Sequence, residues 1–269
     1  MAIVALQSSA SALSALNTAM DVTANNLANV NTYGYKASRA NFEDLLYVEK
    51  QQPGVRNVND DQRPIGLYVG LGTRVSGTQL DFTQGSLIST GRPLDVAIDG
   101  YGFFRVQTVD SIGGGTAYTR AGAFALNSNG EMVMANNTGQ RLEPVVQIPS
   151  NATGISIDSS GQVYVTVVGG TEPEKVGDIQ LTVFVNPQGL KQNGENLYTE
   201  TGASGPPITG VPGTDQRGTL TQTFVENSNV DPTAELVNLI RIQRAFEMNS
   251  NTIRAADQTL QAVANLRRA

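Results

Sequence analysis

Seven-residue apolar repeats occur at the two ends of this 269-residue chain, with a different pattern between them. Leu6, Leu13, Met20 and Leu27 form one series near the N-terminus; Leu239, Phe246, Ile253 and Leu260 form another near the C-terminus. Such a repeat predicts a helix with a narrow apolar seam, as in closely packed coiled coils. Ile3, Ala10 and Ala24 lie near the companion positions of the first seam, where polar Asn17 breaks the row. Leu236, Ile242, Ala256 and Val263 reinforce the second. Asp231-Pro232 supplies its start signal, an acidic N-cap followed by proline at the first helical position. Arg267 and Arg268 suit the negative C-terminal end of that helix.

The two helices differ in charge. The C-terminal one carries Glu235, Arg241, Arg244, Glu247, Arg254 and Asp257, so part of its surface suits water. The first thirty-five residues contain a single charged side chain, Asp21. A helix with small neutral polar groups all round is better suited to touching protein on most sides than to facing solvent. The competing reading is an ordinary two-helix packing element of a soluble monomer.

Between the helices, from Gly72 to Thr223, the chain reads as short β-strands separated by Gly, Pro and Asn turns. "RPLDVAIDGYGFFRVQ", "GQVYVTVVGG" and "DIQLTVFVNPQG" are the clearest strand regions, while "NSNG" (127–130) and "GGG" (113–115) read as hairpin tips. "EKQQPGVRNVNDDQRPIGLYVG" is polar, broken by Pro53-Gly54 and Pro64, with Tyr47 and Tyr68 near its ends. A loop of that length is uncommon unless it serves a function. The predicted organisation is α+β. Residues 1–42 with 226–269 form a discontinuous helical domain whose helices pair in coiled-coil fashion. Residues 43–73 form an extended connecting segment, and residues 74–225 an inserted, mainly antiparallel β-domain.

Composition removes several functions. Only 16% of residues are charged and the formal net charge is −6, which argues against nucleic acid and against an anionic membrane surface. Polar residues interrupt the apolar N-terminal stretch too often for a bilayer span, and no cation precedes it, so if the chain leaves the cytoplasm it is expected to do so without a cleaved leader. The chain has no cysteine and no histidine, which excludes disulfides, the usual zinc sites and Ser-His or Cys-His nucleophile pairs. Asp95 and Asp99 fall four apart in "LDVAID", a spacing that could place two carboxylates on one strand face for glycoside hydrolysis. Solvated turn residues are the simpler reading. "VGLGTRVSG" lacks phosphate-loop spacing and a following helix, and Asp60-Asp61 reads as a solvated pair. No cofactor or metal is expected.

Four stretches in order resemble bacterial flagellar rod and hook proteins: "SALSALNTAMDVTANNLANVNTYGYK", "LDVAIDGYGFF", "YTRAGAFALNSNG" and "NSNVDPTAELVNLIRIQRAFEMNS". Length and the 43–73 segment resemble the distal rod branch of that family, with proximal rod or hook-type subunits as the alternative. The resemblance implies a non-enzymatic helical homopolymer: a hollow, rigid drive shaft that transmits torque and carries the export channel. Implied partners are further copies of itself, proximal rod proteins and hook protein at its ends, the surrounding P and L rings, and the flagellar type III export apparatus. The implied place is the periplasm-spanning rod of the basal body, without membrane insertion.

On that reading the subunit interface comprises Leu6, Leu13, Met20, Asn25, Asn26, Leu27 and Asn29 with Leu239, Phe246, Ile253 and Leu260. Neutral amides can donate and accept across an interface without the cost of burying an unpaired charge. Tyr47, Pro53, Pro64 and Tyr68 mark a segment expected to stiffen the rod. Asn31 and Gly34 can tolerate the left-handed backbone that ends a helix. The rivals from other classes are a secreted carbohydrate-active enzyme using Asp95 and Asp99, and an adhesin-like binding module.

Overall fold

The computed structural model describes residues 2–54, 64–170 and 172–266, in two compact units. Asp60, Asp61, Arg267 and Arg268 lie outside the described residues, as do the side chains of Ile3 and Val263.

The first unit comprises residues 1–28, 38–79 and 231–269. It holds the terminal helices α1 (Ala2–Ala28) and α2 (Pro232–Leu266), which pack on one another. Asp231 caps α2 as expected: its Oδ1 accepts the backbone N–H groups of Thr233 at 2.8 Å and Ala234 at 3.3 Å. The side chains of α1 that are fully buried are small or amide-bearing: Ser9, Ala15, Ala19, Thr23 and Asn26. Small side chains let neighbouring backbones approach closely. The larger members of the predicted seam, Leu6, Leu13, Met20 and Leu27, are only half-buried.

The connecting segment is a set of strands. β1 (Ser38–Asp44) pairs with β4 (Thr73–Leu80), and between them β2 (Tyr47–Gln51) pairs antiparallel with β3 (Leu67–Gly70). The hairpin base rests on α1. Gly72 has φ +118°, and a Cβ there would meet Ser11 Oγ at 2.1 Å, so glycine is required. Ser11 Oγ also accepts from the Thr73 N–H at 3.3 Å.

The second unit, residues 29–37 and 80–230, is a β-domain. It opens with β5 (Leu87–Ser89), β6 (Val96–Asp99), β7 (Phe103–Gln107) and β8 (Thr116–Thr119). β9 (Phe124–Leu126), β10 (Met132–Met134) and β11 (Arg141–Glu143) follow. Next come β12 (Ala152–Ile157), β13 (Gln162–Val167) and β14 (Glu174–Asp178), which form a three-stranded antiparallel sheet. The last strands are β15 (Leu181–Val183), β16 (Lys191–Gln192), β17 (Leu197–Thr199), β18 (Ile208–Gly210), β19 (Thr219–Gln222) and β20 (Phe224–Glu226).

A nine-stranded sheet runs β16-β17-β8-β7-β11-β10-β9, with β15 also on β7 and β18 on β15. The "NSNG" tip joins β9 to β10, and Asn127 Oδ1 accepts from the N–H groups of Asn129 and Glu131, both at 2.9 Å. In β13 the alternation is realised, Val163 and Val165 buried and Tyr164 and Thr166 half-exposed. The long strand suggested by "DIQLTVFVNPQG" is instead the three residues of β15, ended by a 3-10 turn at Pro187–Gly189. Val96, Ile98, Phe104, Phe124, Met132 and Leu142 anchor the main core. A second cluster stacks Phe82, Phe103, Tyr118, Phe184 and Tyr198 edge-to-face, with ring centroids 4.8–5.9 Å apart.

Candidate assembly surface and the buried motif junction

In the helical unit, the predicted interface residues fall into two groups. Leu6, Leu13, Met20, Leu27, Leu239, Phe246 and Ile253 are half-buried, and Leu260 is exposed. Leu236, Val237, Ile240 and Met248 add to the exposed apolar surface of α2. The hairpin is barer still. Leu46, Tyr47, Val48, Ile65, Leu67 and Tyr68 are all exposed, and among the described residues β2 and β3 pair only with each other. Tyr47 packs its ring over Gly70, its cross-strand partner. Tyr68 lies beside Glu49, 3.4 Å from its carboxylate. Pro53 and Pro64 are exposed at the described ends of the two arms.

The asparagines divide by role. Asn26 is buried and bonds within its own chain. Its Nδ2 donates to Ser38 O at 2.7 Å and Glu235 Oε1 at 2.9 Å, and its Oδ1 accepts the Ser38 N–H at 2.9 Å. One side chain thus ties α1, β1 and α2 together. Asn25 is exposed on α1. Asn29 belongs to the β unit, where its Oδ1 accepts the Thr32 hydroxyl at 3.1 Å and its backbone carbonyl the Thr32 N–H. Gly34, with φ +70°, takes the left-handed turn; Asn31 is not among the positive-φ residues. A Cβ on Gly34 would sit 2.6 Å from Ala121 N, so the turn needs glycine twice over.

A buried ion triad in the β unit joins the sequence motifs, and local periodicity gave no hint of it. Lys36, Arg120 and Glu226 are 0%, 4% and 1% exposed. Lys36 Nζ lies 2.6 Å from Glu226 Oε1, and Arg120 Nε 2.8 Å from Oε2. Lys36 also donates to Thr83 O, and Arg120 Nη1 to the carbonyls of Gly100 and Gly102. The Gly85 N–H donates to Glu226 Oε1, and the Gly34 N–H to the Glu226 carbonyl. Burial pushes the Glu226 carboxyl up, but Arg120 and Lys36 outweigh it and hold the carboxyl below its ordinary value. Burial first, then Arg120, lowers Lys36 despite its bond to Glu226. Asn229 completes the junction: it accepts from Ala37 N–H and donates to the Asp81 and Thr83 carbonyls. Two weak signals marked these residues: Lys36 is the first cation in the chain, and Glu226 ends an apolar "TFVE" run.

Asp95 and Asp99 occupy unlike environments. Asp95 is buried and its Oδ2 accepts the Thr90 hydroxyl at 2.7 Å; Asp99 is exposed and accepts from Gln84 Nε2. Four residues of extended chain span about 13 Å, beyond the separation at which two carboxylates share a glycosidic bond.

Comparison with known proteins follows the same order along the chain. Residues 6–36 match the family model "Flagella basal body rod protein", residues 97–165 the "Flagellar hook protein FlgE/F/G D1 domain", and residues 221–266 the "Flagellar basal body rod FlgEFG protein C-terminal". The chain is 47% identical to the flagellar basal-body rod protein FlgG of Buchnera aphidicola subsp. Schizaphis graminum, over 92% of its own length and 93% of the relative's. It is 42% identical to FlgG of Caulobacter vibrioides, over 98% and 99%. The flagellar hook protein FlgE of Escherichia coli is 26% identical, over 98% and 100%. With two relatives above 40% identity along nearly their whole length, the chain belongs to the FlgG family of flagellar basal-body rod proteins.

Proposed function

We infer that the chain is a structural subunit of the distal flagellar rod, polymerising head to tail into a rigid, hollow shaft that carries torque to the hook and encloses the export channel. The family assignment carries this reading, and the bare apolar surface of α2 and the hairpin gives it a physical basis. A subunit that leaves Leu46, Ile65, Met248 and Leu260 in water gains by burying them against another copy, and a contact whose rotation does not close builds a filament. In the filament, α1 and α2 form a coiled-coil-like inner layer whose interface includes the seam leucines and Asn25. The ends meet proximal rod and hook proteins, and the outside faces the surrounding rings. The shaft spans the periplasm, reached through the flagellar export apparatus. The work asked of the protein is stiffness rather than catalysis, and Asp95 and Asp99 serve the strand ends they sit on.

The hairpin is the bracing element in this reading. Its base is closed by bonds from Leu45 N to Gly72 O at 2.9 Å and from Leu71 N to Leu46 O at 3.1 Å. Residues 47–70 can therefore be replaced by an Asn-Gly turn with the flanking strands kept in register. Electron microscopy of the resulting polymers should show curved or flexible filaments. Straight filaments of normal length would sink the bracing role.

A further inference from the structure

The β unit holds a cleft of about 540 Å3 beside β15 and β18. Tyr101, Phe103, Phe184, Val185 and Ile208 supply most of its apolar wall. Val185 at its rim is 80% exposed. Three further features set it apart from an ordinary surface dent. Asp215 and Gln216, which also line it, have φ of +48° and +65°, a left-handed backbone that non-glycine residues adopt at a cost and that is retained where geometry demands it. Arg217, another lining residue, is 8% exposed; it bonds Asp215, Thr214 Oγ1 and Val211 O, yet its Nη1 is buried with no partner among the described residues. And among the described residues β18 pairs only with β15, which leaves its other edge without a strand.

We propose that this cleft receives the β3 arm of the hairpin from a second copy of the chain. The proposal rests on the reading of the hairpin as a brace and names what it braces against. Among the described residues β3 pairs only with β2, so it too has an edge without a strand, and two such edges can join as strands of one ladder. The cations that line the cleft are both paired, Arg217 with Asp215 and Arg120 with Glu226, each at 2.8 Å. "LYVG" of β3 is uncharged, whereas β2 carries Glu49 and Lys50. Side chains alternate along a strand, which puts Leu67 on the face opposite Tyr68, the latter beside Glu49; Ile65, just before the strand, is 78% exposed. A strand carbonyl is also a neutral acceptor of the kind Arg217 Nη1 lacks. Knob and cleft are different surfaces of one chain, so each copy offers a free cleft to the next and a free hairpin to the one before.

The absence of cysteine makes the test direct. Full-length Leu67→Cys and Val185→Cys chains are mixed, polymerised and oxidised. A disulfide needs Cβ atoms roughly 3.5–4.5 Å apart, so a cross-linked dimer should form in the mixture and in neither variant alone. Ile65→Cys with Ile208→Cys is the second pair, should the first not polymerise. Filaments that form from either pair without a dimer overturn the proposal. So does a monomeric double variant that closes the bond within one chain. If Leu67→Cys instead cross-links to Met248→Cys, the hairpin still braces a neighbour but the cleft is not its receptor. If the hairpin-less chain forms straight filaments, the bracing role itself is lost. Val185→Asp gives an independent readout: the isolated chain should keep its melting temperature while its filaments bend, and unchanged straight filaments count against the cleft.

Discussion

The β unit and the helical unit solve the problem of burial in opposite ways. In the β unit even the charges are inside: Lys36, Arg120 and Glu226 are sealed in a paired cluster, and apolar residues fill two cores. In the helical unit, no described side chain of the 35-residue helix α2 is fully buried, and the hairpin carries its largest apolar groups outward. The triad and the two cores of the first region are completed within a single chain. The second leaves large apolar side chains in water, which are the surface that the proposed filament would cover.

The sharpest way to break the contrast is at Glu226. Glu226→Leu leaves two cations buried without their counter-charge and should cost about 3–5 kcal/mol, read by thermal denaturation of the monomer. A loss below about 1 kcal/mol would mean that the triad does not hold the β unit together. Acid probes the same group without mutation. Its carboxyl is held below the ordinary 4.5, so its contribution is complete above that value and is lost as pH falls through the lowered one. Glu226→Gln should remove that limb from the plot of stability against pH.

A smaller effect is expected at Asn26, whose amide makes three bonds between α1, β1 and α2. Asn26→Ala should cost about 1–3 kcal/mol, seen as earlier loss of helical circular dichroism with the β signal retained. Simultaneous loss of both signals would make the two units one cooperative body. The smallest change in the monomer should come from Leu260→Asp on exposed α2. Stability should move by less than about 0.5 kcal/mol, while filament formation stops. Filaments of normal length would remove Leu260 from the interface.

The parts of this fold that could be read from the chain are those set by local periodicity. The repeats at Leu6 to Leu27 and Leu239 to Leu260 become α1 and α2, the Asp231-Pro232 start is realised bond for bond, and the Asn127–Gly130 tip turns where expected. Helix packing was harder to read, because apolar size pointed to leucines while close approach selected Ala15, Ala19 and Thr23 for burial. The triad was out of reach for a different reason. Lys36 and Glu226 are 190 positions apart, and a charged residue in a polar stretch has no pattern to betray that it is inside. Asn26 illustrates the second limit. Its bonds to Ser38 and Glu235 reach 12 and 209 positions along the sequence, beyond any local pattern.

The span of the triad also orders events in time. β19 and β20 bring the pairing edges for β6 and β5, and Glu226 arrives at the end of β20. A chain emerging N-terminus first holds Lys36 and Arg120 without their anion until about five-sixths of its length has passed. Until then, closing the β unit would mean sealing two bare cations away from water, at a cost of several kcal/mol. Glu226 acts as a late checksum for the β unit, supplying the anion only once both cations and all the strands before β20 are in hand.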